Sequence, residues 1–350
     1  MTTGHADDLR ITHLQKEYFD DWDRYVEEHK EGSFFHLSGW KTVIESSFNH
    51  RSFYLAAWQG DKLSGILPLV RIKSLLFGHS LVSTPFCVYG GALADNDNIR
   101  IQLEDEALKL GKELKVDFVE LRYRKPVNNP SYETFCHHST YGCDIADSPE
   151  EILAAVKKKQ RAVIRHSLKN DLNAVVNADY ETAYDVYSQS VRNLGTPVFH
   201  KRFFKNIAST FADNFDVLTV TGPDGKPVSS VLSFYYKNEV LPYYGGGLFD
   251  ARALKSNDFM YYQLMCHARE QGCTHFDFGR SKNDSGAAKY KASYGMPAEA
   301  LYYQRALVEA TEQPNLSPNN PKYALFINTW KKLPLWVSRI AGPYLSKYLG

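Results

Sequence analysis

Two stretches decide the fold, FYLAAWQGDKLSGILPLV at residues 53–70 and FDVLTVTGPDGKPVSSVLSFYY at residues 215–236. Each is an apolar run, a polar turn containing glycine, and a second run with an apolar exit, the pattern of a β-hairpin. The turns are Gln59-Gly60-Asp61-Lys62 and Pro223-Asp224-Gly225. Working outward, helical spacing of apolar residues marks 18–30 and 36–48 ahead of the first hairpin, with Ser38 placed to cap the second of these helices. After that hairpin come a strand and loop at 81–91, a helix over 99–115 and a strand over 118–123. The second hairpin has similar surroundings: helices over 180–193 and 199–211, then a strand at 239–246, a helix at 257–271 and a strand at 275–278. Between the two passes, Ser148 and the acidic pair Glu150-Glu151 begin a long helix, because carboxylates are favoured at a helix N-terminus. Such a repeat predicts duplication of one α/β unit. The expected fold class is therefore α/β (α+β), with two lobes at residues 1–148 and 149–310, each a mixed sheet flanked by helices, and a tail over 311–350.

A chain of 350 residues exceeds the size at which one hydrophobic core keeps growing, which agrees with two lobes. With 43% hydrophobic residues it has the material for packed cores, which excludes the disordered class. A formal net charge of +1 gives no global attraction for polyanions, so any nucleic-acid or membrane contact must rest on local patches. Two such patches exist. Residues 157–169, KKKQRAVIRHSLK, carry six Lys or Arg and no acid, and the tail after Glu312 carries five and no acid. The five cysteines are odd in number and lack CxxC spacing, so they read as reduced, buried thiols rather than a zinc or disulfide framework. His137-His138 has no third ligand at helical spacing and is read as structural, so no metal is expected. The polar, acidic start MTTGHADDLR lacks the features of a secretory signal, and no apolar run reaches the roughly 18 residues that span a bilayer. The expected compartment is the cytoplasm.

The chemistry concentrates in FDFGRSKNDSGAAKYKASYG, residues 276–295. Its first part is an apolar strand, and Gly279 lets the chain turn sharply at the strand's carboxyl end, where open α/β sheets hold their ligands. Arg280, Ser281 and Lys282 stand at that exit, and after a flexible NDSGAA loop come Lys289, Tyr290 and Lys291. Cations and phenols beside a glycine-lined strand end make an anion or oxyanion site, since fixed ammonium groups stabilise charge that develops in a tetrahedral intermediate. The alternative is a solvated charged turn. Asp277 lies within the strand; a hydrogen-bonding role is expected of it ahead of general-base work.

The run FDFGRSK, the loop and KYKASYG, together with KKKQRAVIRHSLKNDL, resemble the FemAB family, in particular FemAB-related proteins associated with exopolysaccharide and PEP-CTERM/exosortase systems. The resemblance covers roughly residues 10–310. It implies two lobes like those of GNAT acyltransferases and transfer of an aminoacyl group from aminoacyl-tRNA to an amine of a peptidoglycan or exopolysaccharide precursor, with no metal, no cofactor and no covalent enzyme intermediate. The family's aromatic-Lys pair is matched by Tyr290-Lys291, so the resemblance gives Lys291 the role of stabilising the transition state and Tyr290 that of shaping the site. Tyrosine replaces the usual phenylalanine, which adds a hydroxyl.

The same resemblance aligns Ile164-Arg165 with the family's basic region, and Lys158, Arg161 and Arg165 become candidates for phosphate contact. The competing reading is a solvated amphipathic face with Ala162, Ile164 and Leu168 inward. Arg202, after the Gly-Thr-Pro loop, is a further anion-binding candidate. Tyr244 and the glycines of Tyr243-Tyr244-Gly245-Gly246-Gly247 suggest a groove that a substrate backbone can approach, or else a tight turn. An acyl-CoA donor is the rival to aminoacyl-tRNA, but the segment DARALKSN at residues 250–257 lacks the paired glycines that bring backbone N–H groups onto a pyrophosphate. A non-catalytic scaffold for a lipid-linked glycan or a partner at the membrane is the alternative from another class. The tail from Pro321 mixes Trp330, Leu335, Trp336 and Ile340 with lysines, and such a segment lies in a membrane interface, on the inner face of the membrane, or docks on its own protein.

Overall fold

The structure, a computed structural model, describes residues 9–75, 77–313 and 321–349. Residues 1–8, which hold most of the acidic start, and residues 314–320 and 350 of the expected tail lie outside the described residues. Two compact units are present.

The described residues begin with β1 (Leu9–His13), α1 (Phe19–Glu28) and α2 (Gly39–Phe48). Both helices agree with the apolar spacing, but the cap differs. Ser38 stands at the N-cap position, yet its N–H and hydroxyl both donate to the Asp23 carboxylate, at 2.6 and 2.8 Å, so a partner on α1 outcompetes the local cap. Next come β2 (Arg51–Ser52), the expected hairpin as β3 (Leu55–Gln59) and β4 (Lys62–Leu67), β5 (Leu69–Ser74), β6 (Gly78–Ser83), β7 (Leu93–Ala94), α3 (Asp97–Leu114), β8 (Phe118–Tyr123) and β9 (Glu133–Phe135). Pro68 interrupts the run after β4, so β4 stays in a sheet ordered β1-β3-β4-β7 while β5 joins a second sheet. Leu55, Leu67, Leu81, Leu103, Val119 and Leu121 meet in the core of this unit, beneath α3.

The second unit opens with β10 (His138–Asp144), α4 (Pro149–Ala155), α5 (Lys158–Ser167) and β11 (Asn173–Asn177). Ser148 caps α4 as expected, its hydroxyl accepting the Glu151 N–H. The long helix predicted from there is two helices, because Val156 adopts extended backbone. Arg161 then reaches back to the carbonyls of Ala154 and Val156 at 2.8–3.2 Å, satisfying groups that the break leaves open. There follow α6 (Tyr180–Leu194), α7 (Lys201–Thr210), the second hairpin as β12 (Phe215–Thr221) and β13 (Pro227–Tyr236), β14 (Glu239–Gly247), a 3₁₀ turn (Phe249–Leu254), α8 (Ser256–Glu270), β15 (His275–Asp277), β16 (Ser281–Lys282), α9 (Gly286–Ser293) and β17 (Ala298–Ala300). One sheet runs β11-β12-β13-β14-β15-β10-β16, and β17 also pairs with β10. Ile164, Leu218, Val231, Val240, Met260 and Phe276 lie in its core.

The last strand, β18 (Tyr302–Leu307), returns to the first unit, where it lies between β8 and β9 in the sheet β2-β5-β6-β8-β18-β9. The tail forms α10 (Pro321–Trp330) and α11 (Leu335–Ser346). The compact units are residues 1–136 with 301–314 and 348–350, and residues 137–300 with 315–347. This differs from a division at 148 and 310 with a separate tail at three points, the first being that α10 and α11 group with the second unit. β10 belongs to the second unit because its hydrogen-bonding neighbours are β15, β16 and β17, and β18 belongs to the first because it pairs with β8 and β9. Among the described residues no helix is long and apolar enough to cross a membrane. All five cysteines are free thiols; Cys87 and Cys273 are buried, Cys143 and Cys266 half-buried, and Cys136 exposed.

Candidate functional site in the second unit

β14 and β15 are parallel neighbours, yet they pair only at Glu239 with His275 and Val240 with Phe276. β14 then continues to Gly247 along β13, whereas β15 stops at Asp277. The sheet therefore opens between them at their carboxyl ends, the position at which parallel α/β sheets receive ligands. Gly279, at φ +73°, turns the chain out of the sheet in a conformation that side chains resist. The expected NDSGAA loop is short, because Ser285 caps α9 by accepting the Ala288 N–H at 3.1 Å and the two alanines already lie in the helix.

A helical setting separates the three residues of the KYK motif. Successive residues project about 100° apart, so Lys289, Tyr290 and Lys291 take different directions. Lys289 is exposed. Lys291 is half-buried, and its Nζ donates to the carbonyls of Gly279 at 2.9 Å and Arg280 at 3.0 Å. The ammonium also lies 5.3 Å from the ring centre of Phe278 and 5.9 Å from that of Tyr141. Burial brings its pKa down to about 8, with the Asp277 carboxylate acting upward and the Arg280 guanidinium downward. An ammonium has three N–H bonds, and the two carbonyls use two of them. Asp277 is 1% exposed; its Oδ1 accepts the Gly279 N–H at 2.8 Å and the Thr140 hydroxyl at 3.0 Å, so it fixes the turn that receives Lys291.

Tyr290 has different partners from Lys291. Its hydroxyl donates to Asp258 Oδ1 on α8 at 3.0 Å and lies 3.2 Å from the Tyr294 hydroxyl. Gln160 of α5 donates to the same Asp258 oxygen at 2.5 Å, and Ser293 donates to Gln160 at 3.3 Å. This buried network joins α5, α8 and α9. Burial raises the Asp258 pKa, opposed by hydrogen bonds from Gln160 and Tyr290. Tyr261, one turn beyond Asp258 on α8, stacks edge-on against Phe278 at 4.5 Å. A Cβ on Gly245 would sit 3.3 Å from its hydroxyl, so Tyr261 reaches the β14 side of the opening. Burial pushes its pKa up to about 12. Sequence reasoning missed Gln160, Asp258 and Tyr261. The available signal was Asp258 and Tyr261 at i, i+3 on the helix before the motif strand.

Of the basic candidates on α5, Lys158 and Arg165 are exposed and line, with Arg161, His166 and Lys169, a shallow open depression of about 500 Å³. Arg161 is committed to the end of α4. The inward face of α5 is Gln160, Ile164 and Ser167, whereas Ala162 and Leu168 are exposed; the bond to Asp258 draws a polar residue inward and rotates the expected stripe. Arg280 and Lys282 are half-buried at the strand exit, Lys282 opposite His138. Arg202 is exposed in the first turn of α7, a helix that packs on α6. Tyr244 is buried among Tyr187, Phe199, Phe203 and Phe204, within core rather than a groove. The glycines after it admit neighbouring helices: a Cβ on Gly246 would come within 2.5 Å of Ser190 on α6, and one on Gly247 within 2.2 Å of Asn257 on α8.

Residues 153–292, from α4 to just beyond Lys291, match the family model described as "Acetyltransferase (GNAT) domain". FemX, at 15% identity, aligns over 91% of this chain and 100% of its own with a TM-score of 0.64. A tandem GNAT protein from the clavulanic acid biosynthesis pathway, at 9% identity, aligns over 87% and 100% with a TM-score of 0.57. The chain has a duplicated GNAT-like fold. L-PGS from Bacillus licheniformis shares that fold at 13% identity, over 90% of this chain and 97% of its own, with a TM-score of 0.53. No curated protein sequence matches the chain. The GNAT domain match holds α5, the opening between β14 and β15, Asp258 and Lys291 in one segment.

Proposed function

We propose that the protein is an acyltransferase of FemAB-like type that moves an aminoacyl group from aminoacyl-tRNA to an amine of a cell-envelope precursor, in peptidoglycan or in an exopolysaccharide of the PEP-CTERM/exosortase-associated kind. The observation that carries the reading is the Lys291 ammonium, held by two carbonyls at the mouth of the splayed strands. In such a transfer the acceptor amine attacks the ester carbonyl carbon, a C–N bond forms, and charge gathers on the carbonyl oxygen. Lys291 stabilises that oxyanion through its remaining N–H. The ribose hydroxyl then leaves with the C–O bonding pair and takes up the proton that the amine releases. Tyr290 holds α9 through Asp258, which sets the direction of Lys291, and Lys158 and Arg165 on the exposed face of α5 meet phosphates.

FemX and the C-terminal domain of a putative lysylphosphatidylglycerol synthetase from Agrobacterium fabrum, at 13% identity and TM-score 0.55, support a cell-envelope acceptor as analogies of fold. A second reading, N-acyl transfer from acyl-CoA, draws on the GNAT domain match. Against it, the entry to α8 is a 3₁₀ turn in which Arg252 stacks at 4.3 Å on Phe249, without a glycine loop to bring N–H groups onto a pyrophosphate. Incubating the protein with charged tRNA or with acetyl-CoA, each with an amine acceptor, separates the two. Saturable acetyl-CoA binding with no aminoacyl transfer would sink the first reading. Lys291→Ala should lose turnover while keeping fold and ligand affinity; if the unsubstituted protein shows no turnover with either donor, the site is a binding scaffold.

A further inference from the structure

The tail helix α11 buries small residues and exposes three of its large ones. Ser338, Gly342 and Ser346, spaced by four, form the buried stripe. Ser346 donates to the Val198 carbonyl at 3.0 Å, and a Cβ on Gly342 would come within 2.9 Å of Val198 backbone. Arg339 secures the same seat, with Nε 2.9 Å from the Ser188 hydroxyl and the guanidinium 2.9 Å from Asp185 on α6. On another face, again spaced by four, Trp336, Ile340 and Tyr344 are 67%, 62% and 69% exposed. A surface helix normally turns such side chains inward, and an exposed apolar row marks a surface that something else covers.

We propose that this row lies in the interface of an anionic lipid bilayer. Charge selects that occupant: after Glu312 the chain carries four lysines, Lys322, Lys331, Lys332 and Lys347, and no Asp or Glu, besides the Arg339 that is paired with Asp185. Lys331 and Lys332 are exposed in the turn that leads into α11. Tryptophan and tyrosine combine an apolar ring with a polar tip, which suits the boundary between headgroups and acyl chains, and lysines suit anionic headgroups. A second copy of the chain would bring like charges together. The 12 residues of α11 make a helix of about 18 Å, which lies along a bilayer and is too short to span one. The proposal goes beyond the acyl-transfer reading and stands apart from it, since it involves none of the residues placed in that site.

Flotation of the full chain with vesicles of phosphatidylcholine alone, and of phosphatidylcholine with one third phosphatidylglycerol, tests it. Binding to the anionic vesicles is expected, weakening as salt rises, and Trp336→Ser/Ile340→Ser/Tyr344→Ser lowers partitioning by about tenfold or more with circular dichroism and melting unchanged. If that variant unfolds, Lys331→Gln/Lys332→Gln, outside the helix, carries the same expectation. No binding to anionic vesicles, or binding that neither variant weakens, overturns the proposal. So does lipid-free dimerisation that the triple variant abolishes, which would assign the row to a second copy.

Discussion

Lys291 differs from its neighbour Lys289 only in direction, yet direction decides its chemistry. Turned onto the carbonyls of Gly279 and Arg280, it becomes a fixed donor with a depressed pKa, while Lys289 stays in solvent. Lys291→Ala is expected to lower turnover by about a hundredfold or more while leaving the melting transition cooperative. If the ammonium is the working form, rate falls as pH rises through about 8. In Lys291→Arg the residual activity loses that alkaline limb, because a guanidinium remains charged. A pH–rate profile of both proteins checks this. Linkage supplies a second readout. The folded pKa of about 8 lies below the ordinary 10.5, so the unfolded chain binds more protons between those values and stability rises with pH in that window. Lys291→Met should lack that rise in melting temperature. Asp258 has the opposite sign, its burial raising a carboxyl pKa, so the folded state binds the extra proton and stability falls as pH climbs above the usual 3.8. Asp258→Asn, which can still accept from Gln160 and Tyr290, should abolish that fall, and Asp258→Ala should melt lower. Thermal scans from pH 3 to 7 distinguish them.

Elements were legible in the sequence where periodicity was strong. Both hairpins, α3, α6, α8 and β8 follow the expected spans closely. The misses have local causes. Gly286 at the first position of α9 resembled loop chemistry and hid a helix capped by Ser285. The break at Val156 was invisible because its compensation, Arg161, lies five residues on. The same arginine shows how a basic run divides by role: Arg161→Ala should cost about 1 kcal/mol of stability through the open carbonyls of α4, whereas Lys158→Ala/Arg165→Ala should leave melting unchanged and weaken tRNA retention in a salt-dependent way. Filter binding beside calorimetry separates these effects. The glycines of β14 make a sharper case. Gly246→Ala should destabilise by about 1–3 kcal/mol through collision with Ser190, and Ser190→Gly should recover most of that loss in a double-mutant cycle.

For the whole molecule, the decisive feature is a strand that leaves the second half of the chain to complete the first unit. β18 is fastened there by charge as well as by its ladder: Arg305 lies 3.2 Å by its Nε from Glu120 on β8, and Arg122 reaches the same carboxylate at 3.0 Å. Burial alone would raise the Glu120 pKa, but the two guanidiniums outweigh it and hold the group at about 2. Its contribution is therefore complete above the usual 4.5 and is lost as pH falls towards 2. Arg305→Ala should cost about 3–5 kcal/mol, since it leaves a buried carboxylate half-paired, and should move acid unfolding to higher pH. A fragment ending at residue 148 should remain unfolded by near-ultraviolet circular dichroism, and residues 301–314 supplied through a flexible linker should restore its fold. Alternation of apolar and polar residues, turn glycines and the repeated hairpin were enough for the sequence to determine a duplicated α/β fold, because those signals act between near neighbours, while the resemblance of the KYK motif to the FemAB family is what directed attention to Lys291. Only tertiary structure decided that β18 crosses to the first unit, that the Tyr290 hydroxyl bonds to Asp258, which also holds Gln160, and that α11 exposes Trp336, Ile340 and Tyr344. Each depends on contacts between residues far apart in the chain, which no local pattern encodes.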